Sequence, residues 1–222
     1  MMDVFEETLW DARAFVYRLL SVALALPDQR VADALADGSL VGDVEAAAQM
    51  VGLASGSPAS TAFERAMSDF EASARSVVLG DLRREYTRLF SSPSAVLPAW
   101  ETAFVRRTQP RGADDLLLVR SREAVDARHR YEEAGARVVG GESPDHMRVE
   151  CAFAAYLCEK AVLSADGDQR SCWVGRYERF AATHLDRWMR EFFSCVSCEA
   201  RIPYYHVVGL IGARTELGIV RA

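Results

Sequence analysis

The spacing of apolar residues is the feature of this chain that most limits how it can fold. Between residues 3 and 26 the apolar side chains recur at intervals of three and four, as on one face of an amphipathic helix. Similar stripes recur along residues 61–70, 82–90, 149–163 and 172–193. No stretch alternates apolar and polar residues for long enough to predict a strand. We therefore predict an all-α fold, a single helical bundle.

Length and composition predict one folded domain. The chain has 222 residues, of which 50% are hydrophobic and 26% are charged, an ordinary composition for a globular protein. A chain of this length can bury a sizeable core. We expect one domain over residues 1–222, and leave open a minor subdivision near residues 55–60, where Ser55-Gly56-Ser57-Pro58 predicts a loop.

Charge and the pattern of apolar runs bear on partners and location. The formal net charge is −6, which disfavours non-specific binding to nucleic acid and to anionic membranes. The N-terminus is acidic where a secretory signal needs positive charge, and the longest apolar run, Leu19–Leu26, is too short to span a bilayer. The 5 cysteines follow no disulfide-framework pattern. We expect a cytoplasmic protein with reduced thiols and no stable membrane insertion.

The segment Glu142-Ser143-Pro144-Asp145-His146-Met147 predicts a helix start, followed by an apolar run from Val149 to Leu163. Ser143 is a good N-cap residue, and Pro144 suits the first helical position. This places Asp145 and His146 in the first turn, where free backbone N–H groups favour a polar ligand group. The alternative is that both side chains only cap their own helix.

A second segment, from Glu85 to Pro93, places Tyr86, Leu89 and Phe90 on one helix face before a serine- and proline-containing loop. An aromatic face beside a rigid loop can form a groove for a peptide. The alternative is that these three side chains belong to the core, as aromatic stripes at helical spacing usually do.

Together these segments resemble the TorD/DmsD/NarJ family of cytosolic chaperones for molybdenum-cofactor enzymes. The family pattern has an aromatic residue followed by x-x-Leu-Phe, then a Gly-Pro loop and a Pro-Pro-x-Glu-Ser segment. An acidic-Pro-Asp-His motif follows and opens a helix. This chain is similar at Tyr86–Phe90, Ser92-Pro93, Leu97–Thr102 and Glu142–His146. It departs by a serine in place of the loop glycine and by a leucine in place of the first proline of the pair.

The resemblance implies a binding protein and not an enzyme. Such chaperones bind the twin-arginine signal peptide of a molybdopterin oxidoreductase and hold back its export until the cofactor is inserted. The expected partners are that signal peptide and the apo form of the oxidoreductase, and the fold is expected to be a helical bundle of the TorD-like type. The chain could be a monomer or a homodimer.

A basic peptide with an apolar stretch needs a groove with an apolar floor and an acidic or polar rim. The floor would come from the aromatic helix face, and an aspartate would meet the arginines. A histidine beside it could make binding depend on pH, and a proline would fix their geometry. Two glutamates are candidates for the rim. The candidate signal-peptide-binding residues are Tyr86, Leu89 and Phe90 for the floor, Asp145, His146 and Pro144 at the helix start, and Glu101 and Glu142 for the rim.

The alternative function is a helical metal- or thiol-dependent redox protein that uses Cys195 and Cys198, which form a C-x-x-C pair. A zinc site needs further ligands in a second cluster, and no second C-x-x-C or histidine pair at metal-ligand spacing accompanies this one. An enzyme is not favoured, because no P-loop or dinucleotide fingerprint is present. GTP is raised by the family resemblance alone, and without a phosphate cradle in the sequence we expect no cofactor and no metal.

Overall fold

The structure is a computed structural model and describes residues 4–53, 58–91, 95–108 and 121–215. Within these ranges the chain forms helices, turns and one isolated bridge, without a strand, so the all-α prediction is confirmed. No helix in this part of the chain combines the length and hydrophobicity needed to cross a membrane. The helices are α1 (Val4–Ala23), α2 (Gln29–Asp37), α3 (Ser39–Met50), α4 (Pro58–Ala74), α5 (Leu79–Tyr86), α6 (Glu101–Thr108), α7 (Arg122–Glu133), α8 (Met147–Leu163), α9 (Gly167–Phe180), α10 (Asp186–Glu199) and α11 (Pro203–Gly212), with π-helical segments at Thr87–Ser91 and Ala181–Leu185.

Several helix ends follow from local sequence. Asp28 caps α2, because its carboxylate accepts hydrogen bonds from the backbone N–H groups of Arg30 at 3.0 Å and Val31 at 3.3 Å. Gly38 ends the same helix at a φ of 84°, a left-handed conformation that glycine adopts without steric cost. These ends depend only on neighbouring residues, and therefore they can be read from the sequence.

The long helix predicted for residues 172–193 is interrupted. Helix α9 begins earlier, after the N-cap Asp166, and ends at Phe180. A π-helical segment, Ala181–Leu185, then joins it to α10. A π-helical turn adds a residue to the local repeat, so it changes the face on which the following side chains lie. The apolar stripe in the sequence did not reveal this interruption.

The chain divides into two compact units, each built from separate stretches of sequence. The first unit comprises Met1–Val22 and Pro98–Met189, and the second comprises Ala23–Leu97 and Arg190–Ala222. The predicted subdivision near residues 55–60 stays a prediction, and residues 54–57 lie outside the described ranges.

The core of the first unit is rich in aromatic side chains. Phe153 of α8 lies between two rings, with centroid distances of 4.5 Å to Tyr131 of α7 and 4.8 Å to Phe180 of α9. Tyr17 of α1 is buried and its hydroxyl lies 2.9 Å from that of Tyr177 in α9. Aromatic pairs at these distances add to the burial of apolar area, so the helices of this unit are held largely by side chains on α8 and α9.

The core of the second unit depends on one very close helix approach. In α11, a Cβ atom added at Gly209 would lie 2.4 Å from the backbone nitrogen of Ser197 in α10. One added at Gly212 would lie 2.2 Å from the ring of Phe193. Both positions therefore require glycine, because no real Cβ contact is that short. Helix α11 also packs against α4, where Phe70 and Tyr204 lie 6.1 Å apart by ring centroid.

Candidate functional site

Two of the segments that resemble the chaperone family meet inside the first unit. Trp100 and His146 form an isolated antiparallel bridge. On either side of it the Glu101 N–H donates to the Asp145 carbonyl at 2.8 Å, and the Met147 N–H donates to the Ala99 carbonyl at 2.9 Å. The structure thus joins two segments that lie more than forty residues apart in the sequence, and we call residues 99–102 and 142–147 the joined motif.

Asp145 is the central polar residue of the joined motif, and it is buried, with 1% of its surface exposed. Its Oδ2 accepts hydrogen bonds from the Thr102 backbone N–H at 3.2 Å and from the Thr102 hydroxyl at 2.6 Å. The Ser143 hydroxyl donates to its Oδ1. Thr102 lies in the first turn of α6, so the carboxylate caps the N-terminus of a helix other than its own.

His146 caps its own helix, as the alternative interpretation of this segment predicted. It is the N-cap residue of α8, and its Nδ1 accepts a hydrogen bond from the Arg148 N–H at 3.1 Å. Burial lowers the pKa of this imidazole, and the neighbouring Arg148 lowers it further, whereas the charges of Glu142 and Asp145 act to raise it. The neutral ring is the form that can accept the capping bond.

The predicted helix start at Ser143 and Pro144 is wrong by a few residues. Helix α8 begins at Met147, and residues 143–146 form a turn before it. The Pro144 carbonyl accepts a hydrogen bond from the Tyr131 hydroxyl at 2.6 Å, which ties this turn to α7. A hydrogen bond from another helix therefore holds Pro144 in a turn, at a position where the sequence predicted the first turn of α8.

The two glutamates predicted for the rim differ in exposure. Glu142 is partly exposed, and its carboxylate pairs with the Arg148 guanidinium. Glu101 is fully buried, with 0% of its surface exposed, so it does not lie on a rim in this structure. Its carboxylate is bound by the Nδ1 of His184 at 2.7 Å and by the Arg187 guanidinium at 2.7 Å, which explains how the charge is accommodated in the interior.

The aromatic helix face lies in the second unit and is buried there. Tyr86, Leu89 and Phe90 have 9%, 0% and 3% of their surface exposed. The Phe90 ring lies 5.5 Å from Tyr86, and it also packs on two rings of α10 and α11 at 6.1 Å and 5.9 Å. In this structure these side chains are part of the core, and their predicted role as a groove floor stays a prediction.

Sequence analysis missed three residues at or near the joined motif. Trp100 is 38% exposed, and its ring meets His146 edge-on at a centroid distance of 5.8 Å. Glu150 and His184 are buried beside Glu101. Glu150 could have been noticed as an acidic residue within an apolar helical run. Nothing in the sequence near His184 signals its neighbours, because they come from helices far away along the chain.

Comparisons with known proteins identify the family of this chain. The sequence model of the family described as nitrate reductase delta subunit matches residues 57–194. The chain belongs to that family. It is the family of NarJ/TorD-type maturation chaperones, and the resemblance read from the motifs is confirmed. The matched range contains both the Tyr86–Phe90 segment and the joined motif.

The chain is also similar to solved structures. A crystal structure of a candidate redox enzyme maturation protein from Archaeoglobus fulgidus matches 89% of this chain and 91% of that chain, with 21% sequence identity and a TM-score of 0.49. A comparison with curated proteins finds no match. The comparisons give no support to the alternative of a thiol-dependent redox protein that uses Cys195 and Cys198, which lie on α10.

Proposed function

We propose that this maturation chaperone binds the twin-arginine signal peptide of a molybdopterin oxidoreductase and acts on the apo enzyme before export, in the cytoplasm. The observation that carries the proposal is the joined motif, in which two family-like segments are locked together with an exposed tryptophan at their junction. Family membership supports a maturation role, and the proposal adds the ligand and the surface that contacts it.

The exposed part of the joined motif has the chemistry that such a peptide needs. A guanidinium group can stack on the Trp100 indole, and the peptide's apolar stretch can pack against the same ring. The partly exposed Glu142 carboxylate can accept a charge-assisted hydrogen bond from a second arginine if it exchanges its Arg148 partner. The net charge of −6 favours the approach of a cationic peptide.

The buried residues of the joined motif act by positioning in this proposal. Asp145 holds the Thr102 end of the segment that carries Trp100, and its carboxylate is already occupied by hydrogen bonds. Pro144, tied to Tyr131, fixes the turn that presents His146 to the indole. Loss of Asp145 is therefore expected to weaken peptide binding through disorder of the surface, and not through loss of a direct contact.

The experiment is a titration of the purified chain with a twin-arginine signal peptide and with the same peptide carrying two lysines. We expect saturable binding of the arginine peptide and weaker binding of the lysine peptide, because lysine cannot stack or bind in a planar, bidentate manner. Trp100→Ala should weaken binding about tenfold, equivalent to about 1.4 kcal/mol.

The matched control is Leu163→Ala. Leu163 lies in the same unit, at the end of α8, and its apolar side chain is 78% exposed. The affinity of this variant for the peptide should equal that of the wild type. Equal affinity of the Trp100→Ala variant and the wild type would remove Trp100 from the site. No saturable binding of either peptide would contradict the proposed ligand.

The role in maturation needs a cellular test. A host lacking this chaperone should yield less cofactor-loaded oxidoreductase, and the wild-type gene should restore the yield. Trp100→Ala should restore less of it than Leu163→Ala at equal chaperone levels. Full restoration by Trp100→Ala would separate maturation from the proposed peptide surface.

A further inference from the structure

A cluster of buried ionisable side chains in the first unit is not explained by peptide binding. Glu101 of α6, Glu150 of α8 and His184 of the π-helical segment have 0%, 0% and 2% of their surface exposed. One ligand-type atom from each lies within 4.8 Å of those of the other two. Three such groups in one buried place are costly unless each has a partner of suitable charge.

Glu150 lacks such a partner on one side. Its Oε2 accepts a hydrogen bond from the indole N–H of Trp188 at 3.0 Å, whereas its Oε1 is buried without a hydrogen-bond partner. A cation bound at Oε1 would supply the partner that this buried oxygen lacks in the structure.

His184 is oriented as a metal-bound imidazole usually is. Its Nδ1 faces the cluster, 2.7 Å from Glu101 Oε2. Its Nε2 lies 3.1 Å from the Asp126 carboxylate on the opposite side. In metal sites the imidazole nitrogen that does not bind the ion typically donates its N–H to a carboxylate, which fixes the tautomer. Asp126 can accept that hydrogen bond and leave the Nδ1 lone pair free for an ion.

The backbone at His184 also supports a ligand role. The residue lies in the π-helical segment Ala181–Leu185, and single π-helical turns inside longer helices occur frequently at functional sites. The turn shifts the side chains after Phe180 relative to an uninterrupted helix. As a result His184 lies next to Glu101, a position that the apolar stripe in the sequence did not predict.

We propose that Glu101, Glu150 and His184 bind a divalent first-row transition-metal ion such as Zn²⁺ or Mn²⁺. Two carboxylates and one imidazole are donors that these ions accept, and three protein ligands leave one coordination position for water or a partner group. Arg187 donates to Oε1 of Glu101 at 2.7 Å, so the ion would bind at Oε2 and at the Nδ1 of His184, in place of the 2.7 Å contact between these two atoms. Glu101 also belongs to the joined motif, but its buried carboxylate lies apart from the exposed Trp100 and Glu142 side chains proposed to contact the peptide.

The cluster approaches solvent on the side of Asp126 and Arg187. The side chains of Asp126 and Arg187 contact the cluster and are 41% and 39% exposed. A movement of these two flexible side chains would open a path to His184. The competing explanation is a purely structural network, in which His184 and Arg187 hold the Glu101 carboxylate, Trp188 holds Glu150, and no ion is bound.

The test measures metal binding to the full chain in a background that lacks the accessible thiols. Cys172→Ser, Cys195→Ser and Cys198→Ser are combined, because exposed thiols bind Zn²⁺ and Co²⁺ on their own. We expect saturable binding of about one equivalent of Co²⁺ with visible absorption bands, competition by Zn²⁺, and an increase in Tm when Zn²⁺ or Mn²⁺ replaces a chelator.

Glu150→Gln is the decisive variant because it keeps the shape of the side chain and removes its charge. We expect at least tenfold weaker Co²⁺ binding and a smaller increase in Tm. In chelator, its Tm should equal or exceed that of the wild type, because the amide does not bury a charge. His184→Gln should also lose metal binding, and Glu178→Gln, at an exposed position of α9, is the matched control that should retain it.

The outcomes separate the two explanations. If the chain without these three thiols binds none of the three ions saturably while it remains folded by circular dichroism, the cluster is a structural network and the metal proposal is wrong. Equal binding by Glu150→Gln and by the control would likewise overturn the assignment of the ligands. Peptide titrations are not used in this experiment, so its failure leaves the proposed function untouched.

Discussion

The second unit holds its family-like segment by aromatic packing, whereas the first unit holds its segments by hydrogen bonds. Phe90 is surrounded by the rings of Tyr86, Phe192 and Tyr205. Asp145, by contrast, is buried among hydroxyl and backbone donors. Two segments that resemble one family are therefore stabilised by different physical means along the same chain. An apolar motif fixes a core, and a polar motif fixes the geometry of a surface.

The largest effect should come from Phe90→Ala in the packed segment. Removing a buried aromatic ring loses the transfer free energy of its atoms and leaves a cavity, which costs about 3–5 kcal/mol of unfolding free energy. The measurement is chemical denaturation followed by circular dichroism. Phe90→Leu, which keeps most of the apolar volume, is the control and should lose less. If Phe90→Ala lost less unfolding free energy than Phe90→Leu, this segment would not be a core element.

Gly209→Ala should be the next largest and tests how tightly the second unit is packed. The added methyl group would meet backbone atoms of α10, which cannot move as a flexible side chain can. We expect a loss of about 1–3 kcal/mol. Gly42→Ala in α3 is the control, because nothing lies within 4 Å of the added atom. That change should stabilise the helix by about 0.5–1 kcal/mol. Similar Tm values for both variants would contradict the close approach.

Asp145→Asn tests the hydrogen-bonded segment. The amide keeps the shape but weakens the bonds that Thr102 and Ser143 donate, so we expect a loss of about 1–3 kcal/mol. Asp168→Asn, at an exposed position in the first turn of α9, is the control and should change stability much less. If the two substitutions cost the same, the buried network does not hold the joined motif.

The smallest effect concerns the pH dependence of stability through His146. Its pKa is lowered in the folded state, so the unfolded chain binds the proton more readily. Stability from this residue is therefore present above the unfolded pKa of about 6.5 and is lost as the pH falls below it. His146→Asn keeps an N-cap acceptor and does not titrate.

Unfolding free energies at pH 7.5 and pH 5.5 check this expectation. The wild type should lose more stability between the two values than His146→Asn does, and Phe90→Leu should lose as much as the wild type. An equal loss in wild type and His146→Asn would show that the polar segment does not contribute the pH dependence that distinguishes it from the apolar one.

The sequence revealed those parts of the fold that depend on near neighbours. The apolar stripes predicted the helices, and Asp28 and Gly38 marked the ends of α2 because capping involves residues two or three positions away. The start of α8 was misplaced because the Pro144 carbonyl is bound by Tyr131, a partner from another helix. Local propensity could not include that bond.

The candidate site was predictable in its segments but not in its contacts. The motifs pointed to Glu101 and Asp145 but not to Trp100, and in the structure Asp145 caps α6 and Glu101 is enclosed with His184. Both outcomes depend on which helices meet, and a sequence pattern carries no direct record of that. The sequence also did not predict the π-helical turn at His184, because the apolar residues around it fit the spacing of an uninterrupted helix.

The interleaving of the two units has a consequence for how the protein is made. Each unit combines early and late parts of the chain, so a ribosome must polymerise as far as Met189 before the first unit has all its residues, and further before the second does. No contiguous fragment contains either unit alone. Nascent chains therefore carry incomplete hydrophobic surfaces until the residues beyond Met189 are made, so a maturation chaperone is itself prone to aggregation during its own synthesis.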